Sequence, residues 1–154
     1  MRVSNPMFDV IQSDLEKLND GLVEAVKSSV DLVTEVGTHL VTAGGKRIRP
    51  ALCLLAARGG KDFDLARVLP LAEALELIHT ASLVHDDVID EADTRRGELT
   101  ANARWNNQVA ILSGDYIFAR AFALIADGGY GDYIAKRLAT LVGNLSVGEI
   151  IQDH

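Results

Sequence analysis

Apolar residues recur at three- and four-residue spacing along nearly the whole chain, the period of amphipathic helices packed on a common core. Phe8, Ile11, Leu15 and Leu18 form one stripe, predicting a first helix over about residues 7–19 that Gly21 ends. Val23, Val26, Val30, Val33, Val36 and Leu40 predict a second over about 22–41, stopped by Gly44-Gly45. Pro50 fits the first turn of a third helix, which runs to about Arg58 and ends at Gly59-Gly60. A long helix follows from near Asp64 to about Ala92, suited to the centre of a bundle. Residues 93–103 are polar and irregular, a further helix covers about 104–126, and Asp127-Gly128-Gly129 breaks it. The last helix starts near Asp132 and is still helical in pattern at His154, with Leu145, Ile150 and Ile151 uncapped. The expectation is an all-α helical bundle, one domain over 1–154, cut in the middle of a core helix.

Composition narrows the function classes. The 154 residues, 48% of them hydrophobic, suffice for one core, and no repeat or low-complexity linker suggests a second. Charges interrupt every long apolar stretch, so no stable membrane insertion is expected. The start, Met1-Arg2-Val3-Ser4-Asn5-Pro6, has no apolar signal core, which makes a cytoplasmic location the expectation. Cys53 has no second cysteine to pair with and sits among Ala51, Leu52, Leu54 and Leu55 as a small apolar residue. A net charge of −7 argues against nucleic acid as a partner. Against that acidic background, Lys46, Arg47 and Arg49 in one segment and Arg95-Arg96 in another point to a bound anion.

The sharpest local feature is His85-Asp86-Asp87-Val88-Ile89-Asp90, near the end of the long helix. Asp86 and Asp90, four residues apart, share a face one turn apart, where like charges repel unless a cation lies between them. Hard carboxylate oxygens at this spacing suit Mg²⁺, which bridges a few carboxylates to phosphates. Alone, the cluster fits a solvated acidic helix end equally well. His79, seven residues upstream, lies near the same face, and Arg95 and Arg96 follow closely, with guanidinium forks that match phosphate oxygens. Carboxylates beside paired arginines suggest a diphosphate site. Gly44-Gly45-Lys46-Arg47-Ile48-Arg49-Pro50 joins a glycine turn to three cations at a helix start, without the spacing of a Walker loop.

Together these segments resemble the trans-isoprenyl (polyprenyl) diphosphate synthase family. The match runs through Gly44-Gly45-Lys46-Arg47 with Arg49-Pro50, Leu77-Ile78-His79-Thr80, His85 to Asp90, Arg95-Arg96-Gly97, Ala101 to Trp105 and Gly114-Asp115. The resemblance implies a helical bundle of the isoprenoid synthase type, truncated to its N-terminal helices, and a magnesium-dependent prenyltransferase. It assigns Lys46, Arg49, His79 and Arg96 to isopentenyl diphosphate. Asp86, Asp87 and Asp90 are assigned to Mg²⁺ and Arg95 to the allylic diphosphate, so that Asp86, Asp87, Asp90 and Arg95 form the catalytic set. A homodimer is the implied assembly.

Just upstream of the first aspartate, where aromatics in this family block the growing tail, stand Ala81 and Ser82. An open tunnel and a medium- or long-chain product are therefore expected, with Leu75, Ile78, Phe118 and Phe122 as candidate floors and Ala81→Phe as a shortening variant. Leu99 departs from the proline common in family members, and the family's second aspartate-rich motif has no counterpart in these residues. The chain is accordingly expected to be inactive alone. The competing readings are a non-catalytic, diphosphate-binding partner of a heteromeric synthase and, less well matched at Gly44–Pro50 and His79, a terpene cyclase.

Overall fold

A computed structural model describes residues 6–152. A short 3-10 helix (Pro6–Ile11) leads into α1 (Gln12–Ala25), followed by α2 (Asp31–Thr42), α3 (Ile48–Arg58) and α4 (Leu65–Ile89). A two-stranded antiparallel hairpin, β1 (Thr94–Arg95) and β2 (Glu98–Leu99), precedes α5 (Ala101–Arg104), α6 (Asn107–Asp127) and α7 (Gly131–Gln152). The expected continuation of the last helix through Asp153 and His154, and residues Met1–Asn5 of the stretch read for a signal core, lie outside the described residues.

The predicted long helix is α4. Asp64 caps its start by accepting a hydrogen bond from the Ala66 amide. It is apolar on nearly every side, as the central helix of a bundle must be. Its main partner is α6, with α3 and α1 on other flanks. Ala74, Ala81 and Ala121 are fully buried in the core with Leu77, Ile78 and Ile117; their short side chains allow close helix approach. Each buried leucine or isoleucine contributes about 1.5–3 kcal/mol. α6 is also long and apolar enough to cross a membrane, but it carries Asp115 and Arg120 and lays Ile117, Ala121 and Ile125 into the core.

Two sequence expectations fail at one place. The first helix continues past Gly21 to Ala25, and the second starts only at Asp31. The break falls where the Thr34 hydroxyl accepts the Ser28 amide and donates to the Ser28 carbonyl, while the Ser28 hydroxyl accepts from the Val30 amide. Serine and threonine there offer the backbone an alternative to the helix ladder. Gly21 serves packing instead: a Cβ at that position would lie 1.9 Å from Oε1 of Glu73 on α4. Residues 94–99, read as irregular, form the hairpin, with Arg96 and Gly97 both at positive φ (54° and 84°) as a two-residue type I′ turn requires.

Glu73 is 7% exposed, and burial pushes its carboxyl up to about 7 from 4.5. The folded chain thus holds a proton that the unfolded chain has released between these two values. Stability falls as pH rises through this window and stays low above it. Glu73→Gln removes the penalty, so urea melts at pH 8 should show a gain of about 1–3 kcal/mol over the parent, shrinking to nothing near pH 4. A gain independent of pH would show that the carboxyl is not titrating in the folded chain.

Candidate active site

The Gly44–Arg49 turn is set by Arg47, whose left-handed backbone (φ 49°, ψ 32°) precedes α3. Opposite it lies α4, and over both stands the hairpin. Between them is a cleft of about 420 Å³. All four residues assigned to isopentenyl diphosphate, Lys46, Arg49, His79 and Arg96, line it. Arg96 reaches across to donate to the Gly44 carbonyl at 2.5 Å. A Cβ on Gly45 would meet Arg96 Nη1 at 2.7 Å, so the second glycine makes room for the guanidinium. Burial and the nearby Arg49 hold the His79 imidazole below its ordinary range, with Arg96 and Arg95 adding to the effect against Glu76. At neutral pH the ring is uncharged, with one nitrogen to donate and one to accept.

The aspartates divide. Asp86 and Asp90 occupy one side of α4 a turn apart, with the Asp90 amide donating to the Asp86 carbonyl at 2.8 Å. Burial, followed by the Asp90 carboxylate, pushes Asp86 up. Asp87 points elsewhere: it is 6% exposed and accepts Nε and Nη2 of Arg95 at 2.7–3.1 Å. Asp87 is thus paired with Arg95, whereas Asp86 and Asp90 share a face one turn apart. Among the described residues no cluster of three or more His, Cys, Asp or Glu is placed to hold a metal. The physical reason is helix geometry, since adjacent residues diverge by about 100° and only the i, i+4 pair shares a face. Asp86 and Asp90 fit a hard cation as a two-carboxylate site that leaves positions open for water and phosphate oxygens.

Asp86 also lines a second opening of about 290 Å³ between α4, α6 and α7, with Ser82, His85, Phe118, Val142 and Glu149 among its walls. Ser82 lines this opening. Ala81 does not: it is fully buried in the packed core, because one residue along a helix turns the side chain to another face. Of the candidate floors, Phe118 lines this opening, while Ile78 is buried and Leu75 and Phe122 pack against the core deeper in the bundle.

Sequence reading missed several contributors. Arg47 also lines the cleft, but unlike Lys46 it is tied to Glu76, at 2.8 Å. Gly114 admits His85, whose Nε2 would be 2.4 Å from a Cβ there and donates to the Ile111 carbonyl at 3.0 Å. That glycine and the histidine three α4-residues beyond Ser82 were both visible in the motifs, but their contact across two helices was not. Val142 and Glu149 come from α7, where no motif marked them.

The family model described as polyprenyl synthetase matches residues 30–154. The chain is 44% identical over 142 residues to the all-trans-nonaprenyl-diphosphate synthase (geranyl-diphosphate specific) of Rhodobacter capsulatus, covering 92% of this chain and 43% of that protein. It is 50% identical over 123 residues to heptaprenyl diphosphate synthase component 2 of Geobacillus stearothermophilus, covering 80% and 38%. Among solved structures, heptaprenyl diphosphate synthase from Staphylococcus aureus superposes with a TM-score of 0.87 at 34% identity over 92% of this chain and 45% of that one. A polyprenyl synthase from Caulobacter crescentus, complexed with calcium and isoprenyl diphosphate, gives 0.87 at 34% identity over 95% and 44%. The chain spans less than half the length of these relatives. By the family match over residues 30–154, the chain belongs to the polyprenyl synthetase family.

Proposed function

We propose that the protein carrying this chain condenses isopentenyl diphosphate with an allylic diphosphate to extend a trans-polyprenyl diphosphate of medium or long chain. The observation that carries this reading is the convergence of Lys46, Arg49, His79 and Arg96, from three separate segments, on one cleft. Two cations from the turn and one from the hairpin compensate a diphosphate, and neutral His79 adds a hydrogen bond. On the other side of α4, Asp86 and Asp90 would hold Mg²⁺, whose charge stabilises the departing allylic diphosphate. Arg95, held beside them by Asp87, supplies a further cation for the same group. The allylic C–O bond breaks, the isopentenyl double bond attacks the resulting cation, and loss of a proton gives the lengthened allylic diphosphate. The apolar side chains of Phe118, Val142 and Leu145 on the second opening keep water from the cation and receive the tail.

The test is incorporation of labelled isopentenyl diphosphate with an allylic primer, with and without Mg²⁺, by this chain and by the complete protein. Metal-dependent chain growth is expected from the complete protein, and its absence there would refute the reading. The cellular setting proposed is the cytoplasm, with a homodimer as the assembly. A second reading, a diphosphate-binding component that works only with a partner chain, draws on the relative named as component 2 of a synthase.

A further inference from the structure

We propose that Arg47 is a positioning residue of the isopentenyl diphosphate cleft, a buried strut that aligns Lys46 and Arg49 and makes no contact with the diphosphate itself. This rests on the cleft reading above. By sequence, Arg47 is one of three neighbouring cations facing an anion. In the fold its side chain is 12% exposed and its guanidinium is taken up on three sides. Nη1 donates to Glu76 Oε1 on α4 at 2.8 Å, Nε to Asn19 Oδ1 on α1 at 3.0 Å, and Nη2 to the Val41 carbonyl near the end of α2 at 2.5 Å.

The same residue directs the chain. Its left-handed backbone turns the segment between two exposed cations, Lys46 and Arg49; Arg47 also borders the cleft, but its guanidinium is engaged by the protein. A non-glycine residue holds that conformation only when its surroundings over-determine it, and the three-way fork does so. The Arg47 carbonyl then accepts the Ala51 amide at 3.0 Å and begins α3. One side chain therefore fixes the turn against three helices. Lysine could not replace it, because a single ammonium lacks the planar fork.

Glu76 makes the idea testable by sign. It lines the cleft, so its negative charge opposes an incoming diphosphate. Were Arg47 a phosphate ligand held in check by Glu76, Glu76→Gln would release it and tighten isopentenyl diphosphate binding. A strut that loses its charged partner lets the turn drift, and binding weakens by about tenfold, the equivalent of one lost charged hydrogen bond.

The experiment is calorimetric titration of the complete protein with isopentenyl diphosphate in metal-free buffer, comparing the parent, Glu76→Gln, Asn19→Ala and Arg49→Ala. Weaker binding in Glu76→Gln is expected, with a smaller loss in Asn19→Ala, whose side chain is outside the cleft. Unchanged or tighter binding in Glu76→Gln, with Arg49→Ala still weakened, overturns the strut and leaves the cleft reading standing. Unchanged binding in Arg49→Ala overturns both. If thermal melts show that Glu76→Gln does not fold, Asn19→Ala decides: unchanged affinity rejects the strut.

Discussion

Asp86→Asn in the complete protein should lower kcat for isopentenyl transfer by about 10³ or more, the scale seen when a charge-stabilising group of a transition state is removed. Asparagine keeps the shape and loses the charge. What remains is one carboxylate, Asp90, on an exposed helix end, too little to hold a hydrated Mg²⁺ against a departing diphosphate. The loss should be accompanied by a rise in the Mg²⁺ concentration needed for half-maximal rate. Asp87→Asn provides the contrast, because Asp87 is occupied by Arg95 and faces away from the pair. Its defect should appear in KM for the allylic substrate, through a loosened Arg95, with the Mg²⁺ requirement little altered. Equal shifts in Mg²⁺ requirement for the two variants would show that the aspartates act as a single metal cluster after all.

The second large effect is on product length. Ser82 stands on the wall of the groove that begins at Asp86 and runs between Phe118 and Val142. A phenylalanine at 82, one helical turn from Asp86, would project a ring into this opening and shorten the tail it can accept. Chromatography of the dephosphorylated products should show the distribution shifted by at least two isoprene units. Ala81→Phe, which the sequence alone favours, would instead press a ring into fully buried packing and cost about 1–3 kcal/mol of stability. If Ser82→Phe makes the parent product and Ala81→Phe the shorter one, the groove is not the tail's path.

What the sequence conveys well is whatever rests on local periodicity or on the chemistry of a single segment. The 25 residues of α4 were legible from their length and apolar run, and the cleft residues from a glycine turn and paired arginines. Its failures share one cause, a contact between segments distant in the chain. Gly21 looks like a helix stop until Glu73, on another helix, is seen to occupy the space a side chain would fill. Arg47 looks like Lys46 until Glu76, Asn19 and Val41 are placed around it. Of the three aspartates within residues 86–90, Asp87 is paired with Arg95 from the hairpin, a contact that the segment alone does not reveal. Five apolar residues of α7, Leu141, Leu145, Val147, Ile150 and Ile151, stand exposed at 42–70%; the spacing that makes them a core stripe does not say what they pack on.

The central claim is that the Gly44–Arg49 turn, His79 and Arg96 together hold the isopentenyl diphosphate. A crystal structure of the protein with that ligand tests it most directly. The account predicts the diphosphate within hydrogen-bonding distance of Lys46, Arg49 and Arg96, with the Arg47–Glu76 pair intact beneath it. A diphosphate bound elsewhere, or one contacting Arg47 with Glu76 displaced, would contradict it.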